Sequence, residues 1–413
     1  MFDRSGGPLR SRPRRQAAAL AGLLAVSVTA AACTSGTDEA SGPRADQPAA
    51  AAPSSSAPAK SEASVRLNVA RTGVKVDKPV RLTAENGTLE RVSVRIGDGK
   101  KQLAGRLSDD GTRWSATQRL EPGTRYRVEA VAVDSEGLET TERSVFRTQA
   151  LTLDQQTYPS FAPLDGETVG VGMPVIVRFD VPVQDKASIE KHLQVSNTSG
   201  QKGAWHWISD AEVHWRPVSY WKPGTDVTVK ANVNSVSAGN GVYGQLSRTS
   251  TFHVGDAVIS RVNARTHTMK TFINGKLAKT TPITTGKPGF TTRSGVKVII
   301  EKFRHKRMNS ETVGINRNNP EAYDIEDVEY AMRVTYSGEF LHAAPWSVGS
   351  QGRANVSHGC TGMSTSDAAW IYNNSKRGDV VEYTGTDRPM TLDNGYGDWN
   401  ASWGDYKAGS ALS

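Results

Sequence analysis

The sequence predicts a mostly β protein built from several compact units. Three features carry that expectation: short stretches in which apolar and polar residues alternate, closely spaced turn signals rich in Gly, Asn, Asp and Pro, and little helical periodicity. At 413 residues the chain exceeds one typical core, so more than one unit is expected. Its formal net charge of +8 suits anionic wall polymers or membrane surfaces. No Lys/Arg stripe, zinc-finger spacing or aromatic RNA-binding motif accompanies that charge, so nucleic acid is not the expected partner.

The N-terminus has the layout of an export signal. Arg10, Arg12, Arg14 and Arg15 precede an apolar run from Ala17 to Ala32 that stops at Cys33. The run is too short and alanine-rich for a comfortable membrane span, and Ala31 and Ala32 before a cysteine resemble a bacterial lipobox. Residues 1–32 therefore read as a signal peptide and Cys33 as a lipidated N-terminus, with an ordinary secretory signal or an uncleaved anchor as the alternative. From Cys33 to residue 61 the chain is Ala, Ser, Pro and Gly with scattered charge, which reads as a flexible tether. The expected location is outside the cytoplasm, anchored to the membrane by lipid and facing the wall.

Residues 62–150 show strand-like alternation at Val92–Ile96 and Tyr126–Val133. Turn signals fall at Glu85-Asn86-Gly87, Gly97-Asp98-Gly99, Asp109-Asp110-Gly111 and Pro122-Gly123, and Trp114 is a candidate core anchor. This grammar predicts an immunoglobulin-like sandwich. Residues 151–254 repeat it, with strands at Val175–Phe179 and Val227–Ala231, and Trp221-Lys222-Pro223-Gly224-Thr225 echoes Glu121-Pro122-Gly123-Thr124. Trp205, Trp207, Trp215 and Trp221 read as core, with a sugar-stacking face as the alternative. From residue 255 to 384 strands continue, including Met269–Ile273 and Val296–Ile300, with a hairpin turn at Asn274-Gly275. The best helix candidate is Ser364 to Asn373, where Ser364 or Thr365 caps and Asp367 suits the first turn.

Chemistry concentrates between Tyr336 and Asp379. Cys33 and Cys360 are the two cysteines of the sequence, so a structural disulfide is not expected, and Cys360 is either an inert buried thiol or a reactive one. It follows Ser357-His358-Gly359 and precedes the candidate helix, where exposed amides would lower a thiol pKa and leave thiolate near neutral pH. His342, eighteen positions upstream, is a candidate general base; His358 is its rival, or else holds the turn. Gly359 lets the backbone bend, and the amides of Gly359 and Cys360 are candidates for an oxyanion hole. Asp324, Glu326, Asp327 and Glu329 lack the spacing of a calcium loop, His192, His206, His214 and His253 lack paired zinc spacing, and no phosphate loop or dinucleotide fingerprint is present. Neither a metal nor a cofactor is expected.

Beyond these readings, the segments Ser337-Gly338, His342-Ala343-Ala344-Pro345-Trp346-Ser347-Val348-Gly349, Ser357-His358-Gly359-Cys360 and Lys376-Arg377-Gly378-Asp379 closely resemble the L,D-transpeptidase catalytic domain of the YkuD type, in particular actinobacterial members carrying tandem immunoglobulin-like domains. Gly397-Asp398-Trp399-Asn400 is similar to the C-terminal segment of those proteins, which implies that 385–413 packs back on the catalytic domain. The resemblance implies a cysteine acyltransferase that cross-links peptidoglycan 3→3: Cys360 attacks a stem tetrapeptide, D-alanine leaves, and a diaminopimelate amine of a second stem resolves the thioester. It implies His342 as acid/base and Ala343 where relatives carry a third member, its carbonyl orienting the imidazole. Tyr323 and Met308 would belong to a lid, Ser337 and Gly338 to a backbone edge that pairs with the stem, and Trp346 to the substrate-binding motif. Gly362 stands where many relatives have Asn, removing an amide contact to substrate. Carbapenem β-lactams are implied as covalent inhibitors, while an L,D-carboxypeptidase and a non-catalytic wall-binding scaffold are the alternative functions.

Overall fold

The computed structural model describes residues Ala59–Ser413. The expected export signal, Cys33 as the expected lipidation site and the expected tether up to residue 58 lie outside the described residues.

The first sandwich packs one sheet of Ser64–Leu67, Arg81–Glu85, Arg113–Ala116 and Gly105–Leu107 on another of Lys101–Gln102, Thr88–Ile96, Arg125–Val133 and Glu139–Arg147. Period-two burial supplies its core: Leu82, Val94, Tyr126, Val128 and Phe146 point inward with Trp114, and Tyr126 stacks on Phe146 at 4.8 Å. The second sandwich pairs Pro159–Ala162, Val175–Phe179, Glu212–Pro217 and Gly203–Trp207 in one sheet. Its other sheet holds Thr168–Val169, Arg248–Val254, Asp226–Ala231 and Leu193–Asn197. Trp205, Trp207, Trp215 and Trp221 are all buried there, so the sugar-stacking alternative loses its exposed rings.

The third domain has two sheets. One is ordered Lys276–Pro282, Thr268–Ile273, Val258–Asn263, Val380–Thr384, Gly295–Val298; the other runs Glu301–Asn309, Asp324–Arg333, Phe340–Ala343, Thr361–Met363. Asn274 and Gly275 adopt φ of 48° and 80°, as a two-residue hairpin requires. The apolar run Val296–Ile300 is not one strand: it ends at Val298, and the chain crosses to the other sheet at Glu301. A helix spans Thr365–Asn374, with Ser364 Oγ accepting from the Asp367 amide, and buries Ala368 and Ile371 against the sheet that carries His342.

The joints between domains differ in kind. The sandwiches meet through polar contacts: Ser235 Oγ donates to the Leu120 carbonyl at 2.7 Å and Asn234 Nδ2 to Glu121 at 3.0 Å. By contrast, the second sandwich shares its apolar core with Val298, Ile300, Val380 and Tyr396. Lys376-Arg377-Gly378-Asp379 forms this joint, since the amides of Gly170 and Gly172 donate to the carbonyls of Arg377 and Gly378, both at 2.8 Å. A Cβ on Gly170 would lie 2.4 Å from the Gly378 carbonyl carbon, which is why the backbones can touch.

The C-terminal segment goes further than the resemblance implies. It touches the catalytic domain through Asn394 on Ser337 and Asn400 on Val296, then continues onto the second sandwich. There Arg216 is boxed by the rings of Trp399, Trp403 and Tyr406, and His214 Nδ1 bonds Asp398 at 2.9 Å.

Candidate active site

The site is built where Phe340–Ala343 and Thr361–Met363 pair in parallel, with His342 opposite Gly362. A parallel pair needs a crossover, and here it is the loop from Ala344 to Cys360, opened by the 3-10 turn Pro345–Ser350. That loop delivers Trp346, His358 and Cys360 to the edge where His342 already stands. A cavity of about 340 Å³ is lined by Met308, Tyr323, His342, Trp346, Ser357, His358, Cys360 and Gly362, among others. A second, of about 120 Å³, lies by Gly338, Phe340, Val313 and Tyr336, and Cys360, Met308 and Tyr323 border both.

His342 is buried, and its Nδ1 lies 2.7 Å from the carbonyl oxygen of Ala343. A carbonyl can only accept, so Nδ1 carries the proton and Nε2 is the basic nitrogen. Burial holds the imidazole pKa below its ordinary value, against the raising effect of the Ala343 bond, so the ring is neutral near pH 7. Trp346 stacks on it at 5.9 Å.

Cys360 corrects one expectation. It is not at the helix N-terminus: the strand Thr361–Met363 intervenes before Ser364 caps the helix. The sulfur is walled by protein except where it meets the cavities, and burial pushes the thiol up to about 11. The resting group is therefore a thiol rather than a thiolate, and its Sγ donates to the Gly338 carbonyl at 3.6 Å.

The oxyanion-hole expectation is also narrowed. Gly359, at φ +123°, turns the chain, but its amide donates to Ser357 Oγ at 3.1 Å while that hydroxyl donates to the Cys360 carbonyl at 2.6 Å. Among the described residues the Cys360 amide has no such backbone or side-chain acceptor, and it is the donor left for an incoming carbonyl.

Comparison with known proteins gives the chain its family. Residues 257–382 match the family model described as the L,D-transpeptidase catalytic domain, and residues 71–237 match a bacterial Ig domain. L,D-transpeptidase 2 of Mycobacterium tuberculosis is 37% identical over 97% of this chain and 97% of its own length. The chain belongs to the L,D-transpeptidase family. L,D-transpeptidase 5 of the same organism is 31% identical over 81% of this chain and 73% of its own. Among solved structures, an LD transpeptidase in complex with imipenem is 37% identical over 55% of this chain and 97% of that chain, with a TM-score of 0.49. L,D-transpeptidase 3 from M. tuberculosis with a faropenem-derived adduct is 30% identical over the same shares, with a TM-score of 0.47.

In this L,D-transpeptidase His358 does not hold the turn; Ser357 does. The His358 ring borders the cavity, its Nε2 2.8 Å from Glu321 Oε2, with Phe290 and Tyr323 at 4.6 and 5.0 Å. Glu321 also accepts from Lys287, so the segment 310–323 is fastened over the cavity by two cationic or ring nitrogens. Burial and the nearby Cys360 push the Tyr323 phenol up to about 12, so it remains a hydroxyl donor.

The Ser337–Gly338 edge has two of its backbone groups engaged within the chain. The Ser337 amide donates to Asn394 Oδ1 at 2.9 Å, and the Gly338 carbonyl receives the thiol. Gly362 sits between Thr284 and Ala344; a Cβ there would come within 2.9 Å of the Ala344 methyl, so a larger residue requires this pocket wall to shift. Asp324, Asp327 and Glu329 are paired across the hairpin with Arg307, His305 and Arg304. Sequence reasoning missed Ser357, Glu321, Thr292 and the ionic trio Arg293, Lys297 and Glu339. Only Ser357 carried a visible signal, a hydroxyl three residues before a turn carbonyl.

Proposed function

We propose that this L,D-transpeptidase joins peptidoglycan stem peptides through an acyl-enzyme on Cys360. One observation carries the reading: His342, its Nδ1 proton held by the Ala343 carbonyl, turns a basic Nε2 to the cavity that Cys360 enters. A neutral thiol and a neutral imidazole suit general-base attack rather than a preformed ion pair. As Sγ attacks the carbonyl of the third stem residue, His342 takes the thiol proton and passes it to the leaving amine of D-alanine. The side-chain amine of a second stem then attacks the thioester, its proton goes to His342, and the C–S bond breaks to restore the thiol. The Cys360 amide receives the carbonyl oxygen. Two cavities meeting at Cys360 supply separate approaches for donor and acceptor, which favours aminolysis over hydrolysis.

Carbapenems are proposed as acylating ligands of the same sulfur, supported by the imipenem complex and faropenem adduct of relatives. Export and lipidation at Cys33 belong to the same proposal, supported by the basic, apolar and small-residue order of residues 10–33.

The test is mass spectrometry of the full chain with purified disaccharide-tetrapeptide, beside Cys360→Ala and His342→Gln. A dimer lighter by one D-alanine, absent in Cys360→Ala and slower by about 10²–10⁴-fold in His342→Gln, is expected. Tripeptide without dimer assigns hydrolysis; no product with acceptor present returns the chain to the scaffold reading.

A further inference from the structure

Behind the sulfur lies a buried ionic cluster that the reaction scheme does not use. Glu339 is 5% exposed, and its carboxylate accepts from the Arg293 amide at 3.1 Å, from Arg293 Nη1 at 3.0 Å and from Lys297 Nζ. Lys297 is fully buried and lies over the Tyr383 ring at 3.7 Å. Burying such groups carries a desolvation cost that well-packed apolar residues would avoid, so the cluster asks for a reason beyond stability.

Its placement supplies one. Glu339 stands between Gly338, whose carbonyl accepts from Sγ at 3.6 Å, and Phe340, whose amide faces the sulfur and favours its charged form. Glu339 thus joins the two peptide units whose polar groups face the nucleophile. The neighbours of Cys360 are tied to the same network: Thr292, adjacent to Arg293, donates from Oγ1 to the Gly359 carbonyl at 2.7 Å, and Thr361 Oγ1 bonds the hydroxyl of Tyr383 at 2.7 Å. The charges do not cancel. Two cations face one carboxylate, and a thiolate is the fourth charge that would balance them.

We propose that Glu339, clamped by Arg293 and Lys297, is a positioning residue that fixes the Gly338–Phe340 backbone around the Cys360 sulfur and, with those two cations, sets the charge the sulfur meets. The inference rests on the Cys360 reading above. Other groups facing the sulfur are Arg333 from the adjoining strand, Tyr383 from behind, Tyr323 from the lid and His342 across the cavity. Arg333 is also engaged with Glu301 at 3.1 Å, whereas Arg293 reaches the sulfur's surroundings through the Glu339 carboxylate it binds. Glu339 opposes the thiolate, whereas Lys297 and Arg333 favour it.

The experiment is the pH midpoint of Cys360 alkylation by iodoacetamide in the full chain, read on the Cys360 peptide by mass spectrometry, for the native protein, Glu339→Gln, Lys297→Gln and Arg293→Gln. Removing the carboxylate moves the midpoint down, and removing either cation moves it up, each by about one pH unit or more. A packing role moves neither midpoint, or moves all variants the same way. Arg293, 15% exposed at its side chain, is the gentlest of the three changes, and it keeps the main-chain donor to Glu339. Opposite displacements in carboxylate and cation variants support the proposal; if Glu339→Gln does not fold, an upward displacement in Arg293→Gln alone supports it and an unmoved midpoint overturns it. Folded variants whose midpoints coincide with native overturn it while leaving Cys360 as nucleophile. A native Cys360 that resists alkylation at every pH removes both this inference and the proposed function.

Discussion

Beneath the nucleophile, Glu339 is shared by Arg293 and Lys297; under the C-terminal segment, His214 is shared by Asp398 and Glu212, with Arg178 completing the set. Each cluster has a buried centre, Glu339 and Lys297 in the first and His214 and Asp398 in the second, but the paired charges of the second balance, with His214 and a partly exposed Arg178 set against two carboxylates, and it faces no reactive atom. The first keeps one positive charge in excess and faces a thiol. A balanced buried cluster fastens two elements together; an unbalanced one acts on whatever sits next to it.

The largest separation of the two is expected from Asp398→Ala. It strips His214 of the fully buried one of its two carboxylates and Tyr406 of its acceptor, leaving Nδ1 without its partner, and a loss of roughly 3–5 kcal/mol is expected by denaturant unfolding. The Cys360 alkylation midpoint should not move; if it does, the two clusters are not independent.

Titration separates them next, with opposite signs. His214 is raised to about 9, its two carboxylate partners outweighing the opposing effect of burial. The folded state then holds a proton that the unfolded state releases, so this stability is complete below about pH 6.5 and lost as pH rises through 9. Lys297 is lowered to about 8, chiefly by burial, so between about pH 8 and 10.5 the unfolded state binds the extra proton and stability rises. Melting temperature measured from pH 6 to 9 should fall, and His214→Phe should remove the fall. A fall that persists in His214→Phe would show that another group carries it.

The smallest effect is expected at the turn between the strands. Ser357→Ala removes one accepted and one donated hydrogen bond around Cys360 and should cost about 1–2 kcal/mol in unfolding, with slower acylation by imipenem as the loop loosens. Unchanged acylation would place turn geometry in Gly359 alone.

The strands, the Asn274-Gly275 hairpin and the Ser364-capped helix were legible in the sequence because each depends on residues a few positions apart. So was the gathering of Cys360 and His342, since one loop joins their strands. The charge state of Cys360 was not. Sequence placed it near a helix end, whereas the strand Thr361–Met363 moves it away and burial raises its pKa. His358 likewise read as a turn residue because its partner, Glu321, lies 37 positions upstream in the lid.

The sequence alone determined a mostly β chain with two sandwiches and a cysteine site, because hydrophobic period, turn chemistry and motif order are local properties. Tertiary structure alone decided which charges meet. Lys297 and Arg293 reach Glu339 across 42 and 46 residues, and His214 reaches Asp398 across 184, so no local pattern marks the pairs. It also decided what each pair does, because an ion pair's effect depends on how completely the fold removes it from water.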